Sequence, residues 1–349
     1  MKKKFIKYSE LIKFVFSILN KVGLDKFSND CVTKGLCEAS LRGVDSHGIR
    51  LLNHYVNSAI YGRKNPKPKF KFKKKYPALG ILDANNAFGH AAGIKAIKYG
   101  MQIANKYGVG VVAVKNSSHP GALASIVLEA ARKKYICWGF THADSLLLSS
   151  NGNRAYFGTN PICFAAPRKN EEPFCLDMAT SKISWNKLLS FKDNNNNLKK
   201  DLAADQYGNS TIFPGKAKTL MPMGDYKGYG LASMIEILCG IFTGMSFGRS
   251  IKAMYTTSIK HKRKLGQFYI IMKIDGELSN RYFLERMFDF SREVRNEPAK
   301  KNKRVLLPND PEILVSKIRK KKGVPLDEKI LSDFIKLSKK YSVKLNFKK

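Results

Sequence analysis

The sequence predicts an α/β protein, with a central domain of short strands and helices bracketed by helical segments from both chain ends. Three observations predict it. Apolar residues recur at helical spacing up to about residue 60, the pattern changes near Ala78 to short β-branched runs between helical ones, and helical spacing returns after Gly276. The pattern divides the chain into helical segments at 1–77 and 277–349 and an α/β segment at 78–276. A chain of 349 residues can bury more than one core.

At the N-terminal end, Ser9 is placed to cap a helix carrying Leu11, Ile12, Val15, Ile18 and Leu19 that stops near Gly23. Ser28 is placed to cap a second, with Cys31, Leu36 and Ala39, that stops near Gly43. A third takes Asp45 or Ser46 as its cap, carries Leu51, Leu52, Tyr55, Val56 and Ala59, and stops at Gly62. Pro66 and Pro68, among lysines, mark a linker. The central segment predicts helices over 93–107, 122–132 and 231–243, and strands over 109–114, 135–140, 161–166, 174–176 and 267–274. Helices over 315–321 and 330–337 follow. Met1-Lys2-Lys3-Lys4 ahead of Phe14 and Ile18 has the outline of a secretion signal, but Lys7, Glu10 and Lys13 interrupt it. An amphipathic helix and a cytoplasmic protein are predicted, and no apolar run reaches the ~20 residues of a membrane span.

The formal net charge is +36, from 63 Lys and Arg against 27 Asp and Glu. That balance admits nucleic acid, an anionic surface or anionic substrates as partners. Most of the basic residues are lysines spread along the chain, and no nucleic-acid-binding module is recognisable, so a specific nucleic-acid partner is not expected. The six cysteines form no C-x-x-C pair and sit in apolar segments, which reads as buried reduced thiols rather than a metal site.

Asp45-Ser46-His47-Gly48-Ile49-Arg50 compresses a hydroxyl, an imidazole and a guanidinium into one short run. A histidine in the first turn of a helix is kept near neutral by the positive end of the dipole and is ready to exchange a proton; a plain capping segment would look the same. Asn116-Ser117-Ser118-His119-Pro120-Gly121 joins a strand to a helix, where α/β proteins place ligand sites. Lys227, in Asp225-Tyr226-Lys227-Gly228, stands at a helix start beside glycines and suits a phosphate or a carboxylate, or simply solvent. No G-x-G-x-x-G fingerprint or P-loop is present.

Taken together in order, these pieces resemble the malate/L-lactate/ureidoglycolate dehydrogenase family over nearly the whole chain. The resemblance is carried by Asp45-Ser46-His47-Gly48, His119-Pro120-Gly121, Gly158-Thr159-Asn160-Pro161, Leu176-Asp177-Met178-Ala179-Thr180, Asp205-Gln206-Tyr207-Gly208 and Lys227-Gly228-Tyr229-Gly230. Trp185, Phe247-Gly248-Arg249, Met254-Tyr255 and Leu265-Gly266-Gln267 look most like ureidoglycolate dehydrogenase.

The resemblance implies a homodimer, one helical domain built from both chain ends (1–77 and 277–349), a central cofactor domain of non-Rossmann topology (78–276), NAD or NADP as cofactor, and a small 2-hydroxy or 2-keto acid as substrate. It offers His47 and His119 as acid/base candidates, with Ser46, Asn116 and Arg50 beside them. It places Asp144, Thr159, Asn160, Asp177, Met178, Ala179, Thr180, Tyr226, Lys227, Asn309 and Asp310 in or near cofactor-contacting segments. Some positions depart from the family pattern: Leu51 stands where an arginine is usual, with Arg50 one residue earlier; Ala143 replaces a hydroxyl; Asn151 and Asn309 replace glycines. These departures motivate an alternative, a catalytically weakened member serving as a binding or structural dimer.

Overall fold

The computed structural model describes residues 4–276 and 279–347. Met1, Lys2 and Lys3 of the signal-like run, and residues 277–278 at the expected domain junction, lie outside the described residues. The first helices are α1 (Tyr8–Lys21), α2 (Lys26–Leu41) and α3 (Leu52–Ile60). Their stops fall at glycines with positive φ, Gly23, Gly43 and Gly62. Their starts differ from the sequence reading. Lys7 precedes α1 without a side-chain cap, so Ser9 lies inside the helix. Asp25 rather than Ser28 caps α2, its carboxylate accepting the Ser28 N–H at 2.7 Å.

The central sheet has seven strands, labelled here β1 (Lys71–Tyr76), β2 (Leu79–Asp83), β3 (Val109–Ser117), β4 (Tyr135–Thr141), β5 (Ile162–Ala166), β6 (Phe174–Met178) and β7 (Leu265–Lys273). Their spatial order is β1-β2-β3-β7-β4-β5-β6. Only β2 and β3 run parallel; every other neighbouring pair is antiparallel. A doubly wound sheet would be mostly parallel, so this topology is not Rossmann. β1 is an edge strand whose lysines discourage pairing with another chain, while Phe72 stacks on Tyr99 with centroids 4.0 Å apart.

The helices α4 (Gly89–Tyr107) and α5 (Ala124–Ala131) bury one face of the sheet, where Ala96, Ile97, Ile126 and Val127 meet Val112, Cys137, Tyr269 and Ile271. After α6 (Trp185–Asp193) comes α7 (Tyr226–Glu236), which runs into a π-turn closed by the Phe242 N–H on the Ile237 carbonyl. Ile235 and Cys239 of this segment cover the other face against Ala113, Phe140 and Phe268. The helix therefore begins five residues before the expected position.

The chain then returns through α8 (Asn280–Asn296), α9 (Asp310–Lys322) and α10 (Glu328–Tyr341). Residues 4–6 pair antiparallel with 324–326, and Phe14 of α1 packs on Phe334 of α10 with centroids 4.8 Å apart. One apolar cluster thus joins both ends of the chain, from Ile6, Leu11 and Ile18 to Leu326, Ile330 and Leu337. All six cysteines are unpaired.

Candidate active site

The segment after α2 does not start a helix at Asp45 or Ser46. It makes two short 3-10 turns, Asp45–His47 and Ile49–Leu51, and the α-helix begins only at Leu52. Gly48 interrupts, with ψ near −144°, and it packs on Ser40, whose hydroxyl accepts the Ile49 N–H at 2.9 Å. Freed from capping, Ser46 places its hydroxyl 2.8 Å from His47 Nδ1. Asp45 instead pairs with Arg319 at 2.5 Å.

The loop after β3 brings His119 over His47, with ring centroids 5.5 Å apart and planes inclined by 22°. The Gly121 N–H donates to His119 Nδ1 at 3.3 Å. A nitrogen that accepts a backbone N–H holds no proton, so neutral His119 carries its hydrogen on Nε2. The Tyr55 hydroxyl lies 3.1 Å from the same Nδ1 and 3.3 Å from the His119 carbonyl oxygen. A serine hydroxyl can donate or accept, so Ser46 leaves both tautomers open to His47. Burial lowers the pKa of His47 to about 4 and those of His54 and His90 to about 3. Burial also holds His119 well below 6.5, reinforced by the facing His47, Lys64 and Arg263. The imidazoles are neutral at pH 7.

Both histidines line a cavity of about 1100 Å³ between the α2–α3 connection, the end of β6 and the loop before α9. Of the residues expected to form the site, Ser46, His47, His119, Asp144, Thr159, Asp177, Met178, Ala179 and Asn309 line this cavity. Asp177 is open to it and accepts the Ala124 N–H at 2.8 Å, at the start of α5. Desolvation by the surrounding protein still pushes its carboxyl up to about 6. Asp144 is held by Arg263 and accepts the Met254 N–H at 3.2 Å, so its oxygens are already engaged.

The remaining expected residues stand elsewhere. Arg50 turns away to Asp327 at 2.5 Å, while Leu51 faces the cavity. Asn116 is the penultimate residue of β3 and donates to Asp83 at 3.0 Å. Asn160 is buried, donating to the Ala232 carbonyl at 2.9 Å and to Glu236 at 2.7 Å. Thr180 ties its hydroxyl to the Thr159 carbonyl at 3.0 Å. Tyr226 and Lys227 are exposed in the first turn of α7, outside the cavity wall. Asp310 sits in an ion network with Arg295 at 2.7 Å and Arg168 at 3.3 Å. Asn160, Thr180 and Asp310 thereby shape the walls on which the lining residues sit.

Several cavity residues carried no signal in the sequence. Arg263 is 5% exposed and lines the cavity, yet in Lys260-His261-Lys262-Arg263-Lys264 it reads as part of a solvated charge run. Arg42 reaches Asn309, and Asn186 donates to the Ser46 carbonyl at 2.9 Å. Tyr55, fully buried behind His119 rather than in the cavity wall, was legible only as an apolar helix position. Asn309 adopts φ 84°, the left-handed conformation for which a glycine is usual. It holds that place by accepting from Arg42 and donating to the Pro173 carbonyl at 2.6 Å.

A cavity that joins two neutral imidazoles to a carboxylate and basic side chains suits proton exchange with a small oxygenated anion, and its relatives place the chain among 2-hydroxy acid dehydrogenases. The chain belongs to the malate/L-lactate dehydrogenase family, whose model matches residues 6–334. It is similar to malate dehydrogenase of Pyrococcus abyssi, 31% identical over 96% of this chain and 94% of that one. It is also similar to the NAD(+) ureidoglycolate dehydrogenase of Escherichia coli K12, 32% identical over 79% of each chain. Among solved structures, malate dehydrogenase from Entamoeba histolytica superimposes with a TM-score of 0.93 at 27% identity, covering 99% of this chain and 100% of that one. The family acts on CH–OH groups and implies a nicotinamide cofactor. The residues present fit such a group: ordinary ligand pockets span roughly 300–1,000 Å³, so this cavity has room for a cofactor and a small acid together. Thr159, Met178, Ala179, Lys182 and Arg249 are in its wall to hold one.

Proposed function

We propose that the chain interconverts a small 2-hydroxy acid and its 2-keto acid with NAD, using His47 as the proton carrier and His119 as a fixed hydrogen-bond donor. The nicotinamide, when bound, takes or supplies the hydride at its C4. His47 takes the hydroxyl proton on Nε2 during oxidation and returns it to the keto oxygen during reduction, while Ser46 accepts from Nδ1 and keeps the ring in place. His119 donates Nε2–H to the substrate oxygen and orients it. The carrying observation is the contrast between the two rings: Gly121 blocks proton uptake at His119 Nδ1, whereas Ser46 permits both states of His47.

Arg263 is the proposed anchor for the substrate carboxylate, supplying the guanidinium that Leu51 lacks; its charge faces His119, His54 and Tyr55. NAD rather than NADP is supported by the cofactor in the name of the Escherichia coli relative. In this reading the helical segments 1–77 and 277–349 serve as the cap over the 78–276 cofactor domain. The protein works in the cytoplasm as a homodimer; Met234, Ile237, Ile241 and Phe242 leave an exposed apolar stripe on α7 and its π-turn that suits a second copy. No nucleic-acid partner is assigned. The test is oxidation of NADH and of NADPH with glyoxylate, pyruvate and oxaloacetate, and the reverse reaction with ureidoglycolate, malate and lactate. Absence of turnover with every pair, despite cofactor binding, would overturn the reading in favour of a weakened binding dimer.

A further inference from the structure

Behind the stacked histidines lies a buried amine with no anion beside it. Lys64 follows α3, its backbone N–H donating to the Ser58 carbonyl at 2.9 Å. Its side chain is nearly sealed, with the residue 2% exposed, and Nζ has no hydrogen-bond partner among the described residues. Nζ lies 3.4 Å from the centroid of the Tyr55 ring and 4.9 Å from that of Phe88. Burying an amine this way is costly unless something compensates it. Aromatic faces do so in part when the amine is protonated, by attraction to the ring quadrupole.

The Tyr55 ring has Lys64 on its face and His119 at its hydroxyl. A cation above a phenol draws electron density from the ring, which makes the O–H a stronger donor and the oxygen a poorer acceptor. We propose that Lys64 is a positioning residue for the site, acting through Tyr55 to keep the phenol hydroxyl donating toward His119 and so to hold His119 as the neutral Nε2–H tautomer. The inference rests on the reading of His119 as a fixed donor.

Every titratable or charged group around Lys64 agrees with that role. His54 and Tyr55 face it from α3, His90 from α4 and His119 from the loop after β3, with His47 on the far side of the pair. Arg63 and Arg263 are its cationic neighbours. Asp144 is taken by Arg263, and Arg63 donates to the carbonyls of Met254, Thr257 and Ser258. Desolvation first, then the two arginines, lowers the Lys64 pKa well below 10.5. Any charge on the amine rests on the two aromatic faces rather than on a carboxylate.

The experiment is a ¹⁵N-histidine NMR titration of the full chain, whose six histidines are few enough to assign with a His119→Asn variant. Wild-type His119 should show the Nε2–H pattern, with its midpoint below the ordinary 6.5. Lys64→Met should raise that midpoint by about half a unit to one unit. Tyr55→Phe keeps the ring beneath the amine and removes the hydroxyl; it should raise the midpoint too, and adding Lys64→Met to it should raise the midpoint by clearly less than Lys64→Met does alone, the remainder being the direct charge of Lys64 on His119. A His119 titration unchanged in Lys64→Met, or shifts that add in the double variant, would overturn the proposal. If Lys64→Met does not fold, Tyr55→Phe alone decides, since an unmoved His119 there overturns it. The spectra report tautomer and charge without turnover, so failure of the dehydrogenase reading would be seen separately, in the cofactor assays.

Discussion

Replacing His47 by alanine removes the group assigned to carry the proton, and turnover in both directions should fall by roughly 10²-fold or more with cofactor binding retained. Steady-state kinetics beside a fluorescence titration of NADH would check this, and wild-type turnover in His47→Ala would remove the residue from the mechanism. Arg263→Met should act differently. Its main effect should be on KM for the keto acid, because a carboxylate anchor contributes to binding both before and during reaction. An unaltered KM would place the substrate carboxylate elsewhere, among Arg42, Arg249 and Lys182 of the same wall. At this scale nine of the expected residues line the cavity and the others stand outside its wall. His47 and His119 were singled out by the resemblance, since a capping segment and a polar loop look alike to local chemistry. The placements of Arg50 and Arg263 were not legible, since the direction of a side chain depends on which neighbour offers a carboxylate: Asp327 holds Arg50 and Asp144 holds Arg263.

Among the elements, two asparagines stand where the family pattern has glycine, and both adopt positive φ, 56° at Asn151 and 84° at Asn309. Asparagine tolerates the left-handed region better than other L-residues, so the turns survive the exchange. Asn309→Ala keeps the strained backbone and loses both side-chain hydrogen bonds, and should destabilise the protein by about 1–3 kcal/mol. Denaturant unfolding would measure it; a change below about 0.5 kcal/mol would show the latch to be dispensable. The 3-10 turns before α3 teach a related lesson. Helical spacing from Leu51 to Ala59 located the helix, but its start depended on Gly48 packing against Ser40 of α2. A tertiary contact overrode a serine that is a good cap by local chemistry, and the same contact freed that serine for His47.

For the whole molecule, four histidines with pKa values pressed below 6.5 make acid a threat to the fold. Above pH 6.5 they are neutral in both folded and unfolded chains and contribute no pH dependence. As pH falls below 6.5 the unfolded chain takes up protons first, so stability declines through the folded values near 4 and 3. Unfolding free energies measured between pH 7.5 and 4.5 should therefore fall with acid, and less so in His54→Gln; equal slopes in the two proteins would contradict the burial assigned to His54. The proposed dimer has its own test. Ile237→Asp should give a monomer by light scattering, and a dimer that persists would place the interface away from α7.

The sequence by itself determined the α/β class, the run of helices and strands, and the family, because periodicity and turn residues are local properties that short stretches carry on their own. Only the tertiary structure decided the strand order, with β7 from late in the chain inserted between β3 and β4, and the contacts that hold both chain ends in one core. It alone also decided which polar groups share the cavity, since that depends on contacts between residues far apart in the chain: Arg42 with Asn309, Tyr55 with His119, Asp144 with Arg263. No local pattern encodes such pairings.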